Sequence, residues 1–238
     1  TLSSHDEIKP HVVGLIDGSF VMTWVDKVPD DGVFAAYDAI RWKHYDSTGA
    51  EIGSGDVTSF ANVGSLGDPS MASTYDGGWA IVYRAPRTDG YDITLKIFDA
   101  SGTLTANKVA NVGATAGDQF DPTVAVLTNG MIVVGWNSPG FAVNLPQNKF
   151  SIFDSSGNLV TGPTSLLGSG NFNLDIAALA QSHGHFVAAG DNLGIIGDSN
   201  VDAGVLALTR TITGDSTRRP TRSQPSMKSA NSPALWKR

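Results

Sequence analysis

The chain contains no cysteine, which excludes disulfide staples and all thiol chemistry. Glutamate is almost as scarce: Glu7 and Glu51 are the only two among 23 acidic residues. The acidic side chain here is aspartate, which accepts turn geometry and caps neighbouring backbone N–H groups. No apolar run approaches the roughly 18 residues of a membrane-spanning helix. No secretory leader is visible in residues 1–4, so the expectation is a mature or truncated product. The serine-hydrolase elbow Gly-x-Ser-x-Gly, the P-loop and the His-Glu-x-x-His zinc helix are all missing. Basic residues are few and displaced to one end. Up to Thr209 there are 22 acidic and 9 basic residues; from Arg210 onward there are 7 basic and 1 acidic. An acidic body disfavours nucleic acid as a partner, because phosphate binding needs clustered cations.

What is present is repetition. The 238 residues include 27 glycines, and 41% are hydrophobic. Three segments share one phrase: an apolar strand, a tight turn, an apolar strand with an aromatic residue, then an Asp-x-x-Gly turn. The first runs through Pro10, Asp17-Gly18, Phe20 to Trp24 and Tyr45-Asp46-Ser47-Thr48-Gly49. The second runs through Pro69, Asp76-Gly77-Gly78, Trp79 to Tyr83 and Phe98-Asp99-Ala100-Ser101-Gly102. The third runs through Pro122, Asn129-Gly130, Met131 to Trp136 and Phe153-Asp154-Ser155-Ser156-Gly157. A weaker fourth copy starts at Asp175-Ile176 and passes through His183-Gly184-His185-Phe186. The markers Pro10, Pro69, Pro122 and Ile176 stand 59, 53 and 54 residues apart. All-β repeats of this length predict an all-β fold, a β-propeller of about four blades with the last incomplete, or a fragment of a larger propeller.

Each unit has room for four short strands. The pattern places first strands at 10–16, 69–75, 122–128 and 176–181, and second strands at 19–25, 78–84, 131–136 and 185–189. Third strands fall at 38–45, 91–98, 148–153 and 203–210; fourth strands at 52–62, 104–112 and 159–167. The second strands are apolar on both faces, which suits burial between blades. The third strands alternate: Ile93, Leu95 and Ile97 one way, Thr94, Lys96 and Phe98 the other. The Asp-Gly and Asn-Gly pairs predict hairpins that need positive φ. The blades are read as 10–68, 69–121, 122–174 and 175–214 within one domain, 1–214. Residues before Pro10 are too few for a strand on this reading. Residues 215–238, basic and proline-containing, read as a disordered or adventitious tail.

The matched phrase, Phe20-Val21-Met22-Thr23-Trp24 with Tyr45-Asp46-Ser47-Thr48-Gly49 and its two later copies, resembles a repeat of very large secreted bacterial proteins. These are calcium-dependent, type I-secreted proteins of the RTX class and related surface adhesins. The resemblance implies a propeller on an extracellular bacterial protein, secreted or at the cell surface, with an adhesive or structural role. The Gly-Gly-x-Gly-x-Asp calcium runs of such proteins are absent from this sequence, so calcium is not carried over from that motif.

Site candidates follow from position. Asp68 and Asp121 precede the first-strand prolines, and Asp175 aligns with them. Around a central channel a cation, possibly calcium, would relieve their repulsion, although Lys9 breaks the ring in the first unit. The plainer reading is a loop ending at Asp with Pro opening a strand. The loops between second and third strands differ in every unit, and variable loops on a regular scaffold carry function. They supply Asp30, Asp31, Arg87, Asp89, Tyr91, Asn144, Gln147, Asp191 and Asn192. His183 and His185 share a turn, which alone is not a metal site. Trp24, Tyr83 and Trp136 hold equivalent second-strand positions and read as core; Trp42 reads as partly exposed. The leading expectation is a non-enzymatic recognition or structural domain that binds a protein or carbohydrate through those loops. An oligomer is expected if blade closure needs a partner chain. The alternatives are a carbohydrate-active enzyme with an acidic axial pocket, or a lectin. A lectin would repeat its ligand residues in each blade, and these loops do not repeat.

Overall fold

The computed structural model describes residues 5–30, 35–61, 66–88, 90–114, 117–138, 147–165, 171–178, 186–193 and 201–206. Four antiparallel meanders follow one another along the chain. The first contains β1 (Asp6–Gly14), β2 (Phe20–Val28), β3 (Tyr37–Tyr45) and β4 (Glu51–Ala61). The second contains β5 (Gly67–Ser73), β6 (Trp79–Arg87), β7 (Gly90–Phe98) and β8 (Leu104–Val109). The third contains β9 (Phe120–Val126), β10 (Ile132–Ser138), β11 (Gln147–Phe153) and β12 (Leu159–Ser165). The fourth contains β13 (Asn171–Ala178), β14 (Phe186–Leu193) and β15 (Val201–Leu206). The first strands pack on one another in sequence, β1 on β5, β5 on β9 and β9 on β13, and so form the inner wall of a propeller. The His183 and His185 turn and residues 207–238 lie outside the described residues.

The hairpins have local causes. Gly18, Gly77 and Gly130 close the inner turns with φ of 85°, 88° and 81°. Gly49, Gly102 and Gly157 close the outer ones with φ of 85°, 83° and 78°, a region only glycine enters without strain. In each outer turn one aspartate gathers the free donors. Asp46 Oδ1 accepts from Thr48 N at 2.8 Å, Thr48 Oγ1 at 2.7 Å and Ala50 N at 3.0 Å. Asp99 repeats this with Ser101 and Thr103, and Asp154 with Ser156 and Asn158.

Each seam between blades is a separate apolar core. Val21 and Val25 of blade 1 meet Trp79, Ile81 and Tyr83 of blade 2. Ala80, Val82 and Leu95 of blade 2 meet Ile132, Val134 and Trp136 of blade 3. Val133 and Ile152 of blade 3 meet Ile176, Phe186 and Ala188 of blade 4. One set of alternating positions on each second strand therefore faces the preceding blade and the other set faces the next. β7 divides as its alternation predicts: Ile93, Leu95 and Ile97 join the second seam, and Phe98 the first. Trp42 corrects its expectation. It is buried in the first seam, edge-on to Trp79 with centroids 5.2 Å apart. Gly53 and Gly55 on the facing strand leave its indole the room it occupies.

The inner strands start earlier than the proline markers suggest, and residues 6–9 belong to β1. Each inner strand carries a bulge. In β1 the register jumps between Ile8 and His11, in β5 between Gly67 and Ser70, in β9 between Gly135 and Asn137 of the partner, and in β13 between Phe172 and Asp175. The extra pairs are Lys9-Pro10, Asp68-Pro69, Asp121-Pro122 and Asn173-Leu174. A proline is tolerated there because a bulge leaves residues out of the ladder. Lys9 and Asp121 adopt φ of 55° and 49° at the same point, unusual for side chains larger than glycine.

Candidate functional site

The bulges define two sets of equivalent register positions on the four inner strands. Lys9, Asp68, Asp121 and Asn173 hold the equivalent bulge position. His11, Ser70, Thr123 and Asp175 hold the position where pairing resumes, opposite Thr23, Val82, Gly135 and Ala189. The expected alignment of Asp175 with Asp68 and Asp121 is thus off by two residues. Without a proline in β13, nothing in the sequence marks where its bulge lies. Asp175 belongs to the second set, with His11 and Thr123.

That second set is where side chains converge. Thr123 Oγ1 donates to Asp175 Oδ1 at 3.3 Å across the seam between blades 3 and 4. His11, from blade 1, feels two opposed influences. Burial lowers the pKa of its imidazole, the larger effect, and the Asp175 carboxylate raises it. The net lowering leaves the ring neutral at pH 7, able both to donate and to accept a proton. At the bulge of β9 itself, Asn137 Nδ2 donates to Asp121 Oδ2 at 3.1 Å. The far oxygen of Asn137 and both amide atoms of Asn148, its cross-strand partner, are buried without a hydrogen-bond partner. Among the described residues, no three His, Asp or Glu side chains gather as a metal-ligand set.

The variable-loop candidates that are described lie at the ends of the second and third strands of their blades. Asp30 is exposed at the end of β2. Arg87 and Tyr91 lie within β6 and β7, flanking a tight turn rather than a long loop. Arg87 Nε reaches Asp92 Oδ2 at 3.3 Å, and the Arg84 guanidinium sits 4.5 Å from the Tyr91 ring centroid. Gln147 opens β11 opposite Ser138. Asp191 and Asn192 are strand residues of β14, paired with Phe172 and Asn171, because the second strands run on past their apolar run. Asp31, Asp89 and Asn144 lie outside the described residues.

Two buried carboxylates, Asp26 and Asp92, were not among the candidates drawn from the sequence, where most aspartates read as turn formers. Asp92 accepts from Asn111 Nδ2 at 2.8 Å. Asp26 lies 2.9 Å from Arg41 Nε and 3.1 Å from His5 Nδ1. Their signal was present in retrospect: both interrupt apolar strands rather than flank glycines.

No protein-family model matches the chain, and no curated protein matches it. Solved structures do. An endo-arabinase from Bacteroides thetaiotaomicron shares 12% identity and a TM-score of 0.51, over 85% of this chain and 75% of that one. A protein of unknown function from Dyadobacter fermentans shares 13% and 0.54, over 78% and 62%. The GH93 α-L-arabinofuranosidase of Fusarium graminearum, in complex with arabinobiose, shares 9% and 0.52, over 84% and 60%. The chain therefore spans 60–75% of the length of these structures. At such identities the likeness shows the fold, a β-propeller. It also corrects the leading expectation of a non-enzymatic recognition or structural domain. Of these three, the two with a stated activity are an endo-arabinase and an α-L-arabinofuranosidase, which is the finding that overturns that expectation.

Proposed function

We propose that this chain is the propeller scaffold of a glycoside hydrolase whose active site is the bulged end of the inner wall. The observation that carries the reading is the convergence of His11, Thr123 and Asp175 from three blades; Asp121, two residues before Thr123 on the same strand, is held by Asn137. Glycoside cleavage needs a pair of acid–base groups flanking the bond, usually carboxylates. Asp175 and Asp121 are exposed carboxylates beside the bulges of two neighbouring inner strands, and they are the pair assigned here to that work. Thr123 fixes one oxygen of Asp175, leaving the other for a sugar hydroxyl, a water or the glycosidic oxygen. His11 supplies a neutral group that can carry a proton. The acidic body favours a neutral oligosaccharide over a polyanionic one, since like charge would repel a uronate chain. Arabinose-containing oligosaccharides are the first substrates to try, given the names of the similar structures. An extracellular bacterial setting, implied by the repeat resemblance, suits such a substrate.

The test is release of reducing ends from arabino-oligosaccharides, compared with Asp175→Asn and Asp121→Asn. Loss of one acid–base group should lower turnover by about 10²–10⁴-fold. Turnover unchanged in both variants would sink the assignment.

A further inference from the structure

Blade 1 presents a face that its three counterparts cover. Strand pairing makes Phe20, Met22 and Trp24 equivalent to Trp79, Ile81 and Tyr83, to Ile132, Val134 and Trp136, and to Phe186, Ala188 and Gly190. In blades 2 and 3 all three side chains are buried, as are Phe186 and Ala188 in blade 4, each set under the face of the preceding blade. Phe20, Met22 and Trp24 are only half-buried. They border an open groove of about 400 Å³, lined by Glu7, Pro10, Met22, Trp24, Lys43 and Tyr45.

A polar atom sharpens the comparison. The Tyr83 hydroxyl hydrogen-bonds Thr58, a residue of blade 1. Trp136 Nε1 donates at 2.9 Å to Gln119 Oε1, in the segment arriving from blade 2. In both seams the preceding unit supplies the partner for this aromatic position. Trp24 Nε1 is equally buried and has no hydrogen-bond partner. A buried indole N–H without an acceptor loses its hydration with nothing in return.

We propose that the face formed by Phe20, Met22 and Trp24 is the seat of a further four-stranded blade of the same repeat, carried by the same polypeptide. That blade offers aliphatic side chains to Met22 and a hydrogen-bond acceptor to Trp24 Nε1. Three existing seams of this construction set the pattern, and the chain spans only 60–75% of the solved structures sharing its fold. The proposal does not depend on the enzymatic reading.

The first arm uses the chain as it stands. Sedimentation should show a monomer, and acrylamide should quench a fluorescence component that Trp24→Phe removes. Two results overturn the proposal. A dimer that Met22→Lys dissociates gives the face to a second copy; Trp24 shielded in the monomer gives it to another part of this chain. The second arm fuses a second copy of residues 67–121 ahead of residue 5, because that unit carries both the aliphatic face and Gln119. The fusion should melt higher than the parent and shield Trp24, and Gln119→Ala in the added copy should reduce both effects. A folded fusion in which Trp24 is still quenched also overturns the proposal. The first arm decides alone if the fusion does not fold.

Discussion

Thr123 and Asp175 stand 52 residues apart, each just past the bulge of its own inner strand, and meet at 3.3 Å across a blade seam. The hydroxyl donates to the carboxylate, tying the inner strands of blades 3 and 4 together. Thr123→Val keeps the shape and removes the donor. It should cost about 1 kcal/mol in denaturant unfolding. If Asp175 acts in catalysis, turnover of arabino-oligosaccharides should also fall. Turnover that stays unchanged would confine the contact to stability.

Acid should loosen the outer hairpins first. Hydrogen bonds from Thr48, Ser101 and Asn158 hold the Asp46, Asp99 and Asp154 carboxyls below their usual pKa. A depressed folded-state pKa contributes stability that is complete above the unfolded value, about 3.9. That stability is lost as pH falls through the lower folded value. Asp99→Asn keeps an acceptor but cannot titrate. Its thermal stability should therefore change less than the parent's between neutral pH and pH about 3. Identical acid limbs would refute this role.

The alkaline side has one marker. Burial, the larger effect, raises the Tyr83 phenol to about 12 against the hydrogen bonds from Thr58 and Thr94. Since the folded pKa is raised, its contribution is full below the unfolded value near 10 and disappears as pH climbs towards 12. Phenolate absorbance should show one tyrosine titrating late, and Tyr83→Phe should remove that component alone. Five tyrosines titrating together would contradict it.

Gly135 marks the tightest point of the third seam. A Cβ there would sit 2.5 Å from Ile176 Cδ1 and 2.6 Å from Leu174 Cδ2. Gly135→Ala should cost about 1–3 kcal/mol through overpacking, and Ile176→Val in the same chain should recover part of it. Calorimetry of the single and double variants checks both; additive losses would show that the seam has room to relax.

The repeat and its turns were legible because they are written locally. An Asp and a Gly three residues apart specify a hairpin wherever they occur, and the outer turns fell where Asp46, Asp99 and Asp154 put them. Strand pairing was legible through alternation, as Ile93, Leu95 and Ile97 show. The bulges were not legible. A bulge is a relation between two strands, and Pro10, Pro69 and Pro122 mark it only where a proline happens to occupy it. This is why Asp175 was placed two residues from its true equivalents, and why the set formed by His11, Thr123 and Asp175 did not emerge. Asp26 and Asp92 were hidden differently: their place within apolar strands was a faint local signal, but their partners Arg41, His5 and Asn111 lie far off in sequence. The choice between recognition and catalysis lay outside the sequence pattern altogether, because the same scaffold serves both.

A residue that a bulge holds out of the ladder hydrogen bonds contributes little to keeping its strand in place. Lysine, aspartate and asparagine already share that register position in this chain, once in each of four inner strands. Substitution there should alter local chemistry and leave the blades standing, so such a position can vary one blade at a time without the scaffold having to refold.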